Sequence, residues 1–368
     1  MKGTDNHALT NRIKNLTQKD RVRAFLLTPE EFPYNIEVVA ENLRVPWAME
    51  MSQEGKLYFT ERSGNIKIIE NGVLLPEPLI TFTSPFVSRG EGGLLGMAID
   101  PDFSENHYIY VMHTYTSGGK VYNRVVRLVE LNDRASIDRV LIDEIPGGLS
   151  HDGGRIKIGP DRKLYITTGD AGNARLAQDI NSLAGKILRI NLDGTIPEDN
   201  PIANSPIYSY GHRNGQGLAW SEDHILYESE HGQTAHDEIN RIVPGANYGW
   251  PVVEGEEASE ESGFMGPIVE SGDVTWAPAG ITFVNQGPWQ GKLLVTNLYG
   301  EQLLVMTFND EGTGVVQVEP WLTDEFGRLR EVYQAEDGSI YLATSNRDGR
   351  GGPAANDDRI LRLVPKIS

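Results

Sequence analysis

Between Gly211 and Pro251 the chain reads GHRNGQGLAW and then, after a short spacer, YESEHGQTAHDEINRIVPGANYGWP. His212, Arg213, Asn214 and Gln216 crowd between glycines, and the loop His231-Gly232-Gln233 follows. A strand connection needs turn residues such as Gly, Asn and Asp. It has no use for a guanidinium, two amides and an imidazole in so short a space. That set can hold an anionic, planar ligand, because Arg grips a carboxylate through two parallel hydrogen bonds and the amides can meet carbonyls and ring nitrogen. The plainer alternative is a polar turn whose Arg pairs with surface carboxylates. A second cationic group lies in FGRLREV, where Arg328 and Arg330 are two apart and so face one side of an extended segment. A third element is LSHDGGRIKIGP, with His151 beside glycines just ahead of a strand. An imidazole in an open loop can take a proton near neutral pH, or simply bond a backbone carbonyl.

These residues need a scaffold, and composition narrows the choice. The 368 residues carry a formal charge of -19, which argues against nucleic acid and anionic membranes as partners. Zero Cys removes disulfides, thiolate nucleophiles and cysteine-ligated clusters. The 40 glycines and 20 prolines favour a turn-rich all-β fold. No apolar run approaches the roughly 20 residues of a membrane helix. The N-terminal MKGTDNHALTNRIKNLTQKDRVR lacks the apolar core of a secretory signal. Residues 1–33 read as a polar, flexible arm.

One strand pair recurs six times. KLYFTE, HYIYVMH, KLYITT, HILYES, KLLVTN and SIYLAT are each followed by a second strand, from NIKIIE to RILRLV. Counted from Leu57, Tyr108, Leu164, Ile225, Leu293 and Ile340, the steps are 51, 56, 61, 68 and 47 residues. The second strands alternate polar and apolar, whereas the first are more uniformly apolar. A period near fifty residues fits the four-stranded blade of a six-bladed β-propeller, with a β-sandwich as the alternative. YNIEVVAENL, Tyr34 to Leu43, precedes the first repeat and is expected to complete the last blade, so that 34–368 form one closed ring without free edges. The acidic run Glu254 to Glu261 reads as an exposed insertion.

The chain resembles the soluble glucose dehydrogenases and aldose sugar dehydrogenases that depend on pyrroloquinoline quinone (PQQ). The resemblance rests on GEGGLLGMAIDPDF, the H-x-x-G-R loop at His151, GPDRKLYITTGDAGN, LAGKILRINLDGTIPEDNP, the GHRN-x-QG signature and the Arg-x-Arg pair, and it covers about 35–368. It implies that His151 is the catalytic base, that Arg213, Asn214, Gln216, Arg328 and Arg330 contact the quinone, and that Glu91 stands where the family has a contacting Gln. It further implies calcium on the Gly232 and Gln233 carbonyls, and a structural calcium using Glu238 and the Tyr248 carbonyl. A transition-metal site built from His212, His231 and His236 is the competing reading, although their spacing matches no established ligand pattern. Two departures accompany the likeness: Ser150 replaces an Asp ahead of the base, and Tyr299 replaces a Lys that touches the quinone.

The expected activity is oxidation of an aldose at its anomeric hydroxyl to the lactone, with hydride passing to the quinone and an external acceptor reoxidising it. A metal-dependent lactonase and a propeller that binds a sugar or partner without turnover are the alternatives. The Arg-rich pocket speaks against the lactonase, which needs inward carboxylates. Family habit implies export from the cytoplasm, and the absence of recognisable dimer insertions implies a monomer. The Gly211–Pro251 run is expected on the loops of blades four and five.

Overall fold

In the computed structural model, which describes residues 31–366, strands assemble into six antiparallel sheets. Blade one runs Pro46–Met51, Leu57–Glu61, Asn65–Glu70 and Val73–Leu74, with Ile80–Thr81 also paired to its third strand. Blade two holds Leu94–Ile99, Tyr108–Ser117, Lys120–Glu130 and Ala135–Pro146; blade three holds Ile156–Ile158, Lys163–Thr168, Lys186–Asn191 and Ile207–Tyr210. Blade four comprises Gly215–Trp220, Leu226–Glu230, Glu238–Arg241 and Val269–Glu270, and blade five comprises Pro278–Phe283, Leu293–Asn297, Leu303–Phe308 and Val315–Trp321. Blade six takes Leu329–Gln334, Ile340–Thr344 and Ile360–Pro365 from the end of the chain and Tyr34–Ala40 from its beginning. Tyr34 faces Pro365 and Ala40 faces Ile360, which closes the ring as expected.

The first strands of successive blades touch one another all the way round, blade six meeting blade one, and so line the central channel. The repeated pair found in the sequence therefore forms the two middle strands of each blade. Those middle strands are buried more evenly than alternation predicts: Lys186–Asn191 and Leu303–Phe308 bury residues on both faces. A neighbouring blade covers each face, so the polar-apolar rhythm of a half-solvated sheet fades. The apolar core accordingly falls into six clusters, one between each pair of adjacent blades. Tyr34 seals the closure by packing its ring 4.7 Å from Trp289, and Phe32 lies 5.4 Å from Trp321. The polar arm expected over 1–33 lies outside the described residues except at 31–33, where Phe32 and Pro33 already join blade six. No helix among the described residues is long and apolar enough to cross a membrane.

Candidate active site

Loops that enter the innermost strands converge at one end of the channel. Arg213 and Asn214 lead into blade four's first strand, His151 to Gly154 into that of blade three, and Glu91 into that of blade two. Arg328 and Arg330 flank the start of blade six's first strand, and Trp47 opens that of blade one. Between these loops lies a cavity of ≈ 190 Å³ whose lining includes Trp47, Arg62, Glu91, Asn214, Gln216, Arg328, Arg330 and Arg350; Arg213 and His151 sit next to lining residues Asn214 and Asp152 without lining it themselves. The Gly211–Pro251 run thus holds three strands of blade four and the connection that enters it from blade three, and it contributes no strand to blade five, so the expectation of loops on blades four and five is corrected.

The cationic wall is held from behind. Arg328 donates through Nε to Asp348 at 2.9 Å and through Nη1 to the Leu298 carbonyl at 3.0 Å. Arg330 donates to Gln216 Oε1 at 3.0 Å and lies 3.8 Å from Asp348. Burial, opposed by Asp348 and reinforced by Arg62, Arg328 and Arg155, disfavours the charge on Arg330. A guanidinium keeps its proton in such a setting, so the strain is stored as a demand for an anion. The Nε atoms of Arg330 and Arg213 are both buried without a partner, which points the same way. Asn214 and Gln216 form the adjoining edge. Asn214 Oδ1 accepts from the Gly153 amide at 3.0 Å, and Gln216 Nε2 donates to the Gly153 carbonyl at 3.3 Å. Gly153 has φ +64 and no room for a Cβ, which would lie 2.7 Å from the Gly169 nitrogen.

His151 stands beside this wall with a built orientation. Its Nδ1 lies 2.8 Å from Asp170 Oδ1, and its backbone N–H donates to Glu91 Oε2 at 2.7 Å. At φ +59 its backbone occupies the left-handed region, a costly geometry for a side-chain-bearing residue. The Ala171 N–H pins the His151 carbonyl at 3.1 Å. Asp170 is fixed in turn by Trp250 Nε1 at 2.9 Å and the Gly172 N–H at 2.8 Å. Burial works against its ionisation, but His151, Trp250 and Gly172 together hold its carboxyl below the usual range. Asp170, rather than Ser150 where the family has an Asp, is the residue bonded to the ring. Asp170 lay in the GDAGN stretch without an assigned role; an Asp closing a strand opposite a loop His was the available signal.

Glu91 lines the cavity and is neutralised. Burial raises its carboxyl, while the His151 amide, His231 and Arg350 outweigh that and hold it below the usual range. Arg350 Nη2 donates to Glu91 Oε1 at 2.8 Å. Tyr299 is 69% exposed and does not line the cavity.

The expected metal positions separate into two places. The Gly232 and Gln233 carbonyls accept no hydrogen bond among the described residues, while their N–H groups are held by Asp237 and Glu254. Glu238 sits in register between Glu230 and Glu270, so the three carboxylates share one face of blade four. Burial and Glu230 push the Glu238 carboxyl up to about 8. The Tyr248 carbonyl is likewise without a hydrogen bond among the described residues, and its ring stacks on His212 at 4.6 Å. Beside them, His212, Glu228 and Glu230 bring ligand atoms within 4.8 Å of one another. Glu228 Oε1 and Asn240 Oδ1 are buried without partners. Sequence reasoning missed Glu228 and Glu230, whose alternation on a strand reads as ordinary. The three histidines do not meet: His212 pairs with Glu230, His231 donates to the Pro278 carbonyl, and His236 pairs with Glu270.

Residues 43–362 match the sequence model of a family described as Glucose / Sorbosone dehydrogenase. The chain belongs to that family. This glucose/sorbosone dehydrogenase family member is similar to quinoprotein glucose dehydrogenase B of Acinetobacter calcoaceticus, at 32% identity over 77% of this chain and 69% of the relative. It is also similar to an aldose sugar dehydrogenase of Escherichia coli K12, at 30% identity over 86% of this chain and 91% of the relative. Among solved structures it is similar to the PQQ-bound aldose sugar dehydrogenase of Streptomyces coelicolor, with 37% identity, a TM-score of 0.82 and coverage of 92% and 100%. The family match spans all six blades, so fold and site belong to one continuous likeness.

Proposed function

We propose that the protein oxidises an aldose at the anomeric hydroxyl to the lactone, using PQQ and calcium. One observation carries the reading: a cavity lined by Arg62, Arg328, Arg330 and Arg350 opens beside an imidazole oriented by a buried carboxylate. The unpartnered Nε atoms of Arg213 and Arg330 make the donor set suit a polyanion. Arg213, Arg328 and Arg330 would hold its carboxylates, and Asn214 and Gln216 its neutral oxygens and nitrogen. Bound PQQ would supply the two-electron acceptor. The unengaged carbonyls of Gly232 and Gln233 suit a hard cation that takes oxygen ligands; calcium there would polarise the quinone. Glu238 and the Tyr248 carbonyl, with Glu228 and Glu230 at hand, suit a second, structural ion.

The chain's own part in the reaction is the proton. Asp170 accepts from Nδ1 of His151, which leaves Nε2 as the atom that takes the hydroxyl proton. The charge then forming on the ring is met by the Asp170 carboxylate. Glu91, by holding the His151 amide, keeps the loop in its left-handed turn. We extend the proposal to an external electron acceptor, a monomer and a location outside the cytoplasm.

The experiment titrates apo protein with PQQ and Ca²⁺, follows the quinone absorbance, then adds an aldose. Bleaching that disappears in His151→Ala supports the reading. Binding without bleaching by any aldose overturns the reaction, and absence of binding overturns the cofactor.

A further inference from the structure

The four cavity arginines are not equivalent. Arg328 and Arg330 are buried and share Asp348, and Arg62 donates to the Asp348 carbonyl at 3.0 Å. Arg350 follows Asp348 by two residues, and its backbone N–H donates to Asp348 Oδ1 at 2.9 Å. Its main chain is therefore tied to the anchor of the other cations. Its side chain, however, is 65% exposed, and among the described residues it hydrogen-bonds only to Glu91. Glu91 is the fixed member of that pair, because its other oxygen holds the His151 amide. A long, solvated cation thus rests on an anchored carboxylate at the mouth of a cavity whose other arginines are buried or half-buried.

The arrangement can be exchanged at little cost. An exposed ion pair contributes about 0–1 kcal/mol, and an entering carboxylate offers Arg350 the same forked geometry that Glu91 does. Tyr299, turned to solvent, brings no charge from blade five, whereas Arg350 brings one to the cavity from blade six.

We propose that Arg350 closes over the anionic cofactor as its outermost clamp, and that Glu91 holds this guanidinium in reserve until an anion enters. The inference rests on the quinone reading above and assigns the pair a binding role within it. Glu91 is then the counter-charge that keeps the mouth near neutral while the cavity is free of anion.

The test titrates apo wild type, R350Q and E91Q with PQQ in the presence of Ca²⁺ at several salt concentrations, with apo melting temperatures measured alongside. R350Q weakens binding roughly tenfold, as loss of one hydrogen bond to a charged group implies, and makes the salt dependence shallower. E91Q keeps an amide oxygen for the His151 N–H but frees Arg350, so it tightens binding severalfold. Opposite signs from the two variants are what a merely structural ion pair cannot give. Unchanged binding by R350Q, or parallel loss in both variants, overturns the clamp while leaving the quinone reading intact. Unchanged binding by E91Q overturns its reserve role. A wild type that fails to bind PQQ overturns both readings together.

Discussion

Asp170→Asn isolates the contribution of the carboxylate that orients the proposed base. Asp170 is buried and receives His151 Nδ1 at 2.8 Å, Trp250 Nε1 at 2.9 Å and the Gly172 N–H at 2.8 Å. The amide of Asn can accept from only one oxygen, so one of these donors faces an NH₂ group. Its neutral oxygen also cannot offset the charge that forms on the imidazole. A hydrogen bond to a charged group contributes roughly 1.5–3 kcal/mol, which corresponds to about a 10- to 150-fold fall in kcat. Affinity for PQQ should stay within about twofold, since Asp170 does not line the cavity. The assay is steady-state dye reduction on the reconstituted variant, with quinone binding measured separately. A kcat within about threefold of wild type, with the variant folded, refutes the orienting role. A parallel loss of quinone affinity would instead show that the substitution disturbs the whole loop.

Three further outcomes follow from the same geometry. Arg330→Met removes a buried, incompletely satisfied cation, so apo stability should hold within about 1 kcal/mol while PQQ binding falls at least tenfold; isothermal titration and melting curves check both. In cation-free protein the Glu238 carboxyl, raised from 4.5 to about 8, holds a proton in the folded state that the unfolded chain has released. Stability should therefore fall as pH rises between those values, and added Ca²⁺, which replaces that proton, should raise the melting temperature more at pH 8 than at pH 5. Tyr34→Ala deletes a buried ring from the closure and should cost about 3 kcal/mol or more, seen as a lower denaturation midpoint, whereas a loss under 1 kcal/mol would show that the strand contributes little to ring closure.

The fold was legible because the first of each blade's two middle strands is largely apolar, and runs such as KLYFTE and KLLVTN repeat at a blade's length. The innermost strands were harder to see. GQGLAW is glycine-rich, with Gly215 and Gly217 pressed against Glu228 and the Ala279 carbonyl, and IKI spans only three residues. Arg213, Asn214, Gln216, Arg328 and Arg330 were legible as polar groups that no turn requires, and the structure brings them together. The supports behind them were not. Asp170 is 19 positions from His151 and 80 from Trp250, and Arg350 is 259 from Glu91. The first pairing joins two loops of blade three and the last crosses the channel mouth from blade six to blade two, and single-strand patterning carries no record of either. The counter-charge of Glu91, Arg350, likewise lies on another blade.

The pairing of Tyr34–Ala40 with Ile360–Pro365 also sets an order of events during synthesis. At about 5–20 residues per second, the first strand leaves the ribosome tens of seconds before its partner exists. Throughout that interval the outer strand of blade six waits without the blade's other three strands, and the opening blade has no neighbour on one side. Completion of the ring thus waits until Ile360–Pro365 has been made, and the nascent chain is, until then, an open arc with two adhesive ends. Any factor that captured the first strand early, or any truncation that removed the last, would leave five nearly complete blades unable to form a circle.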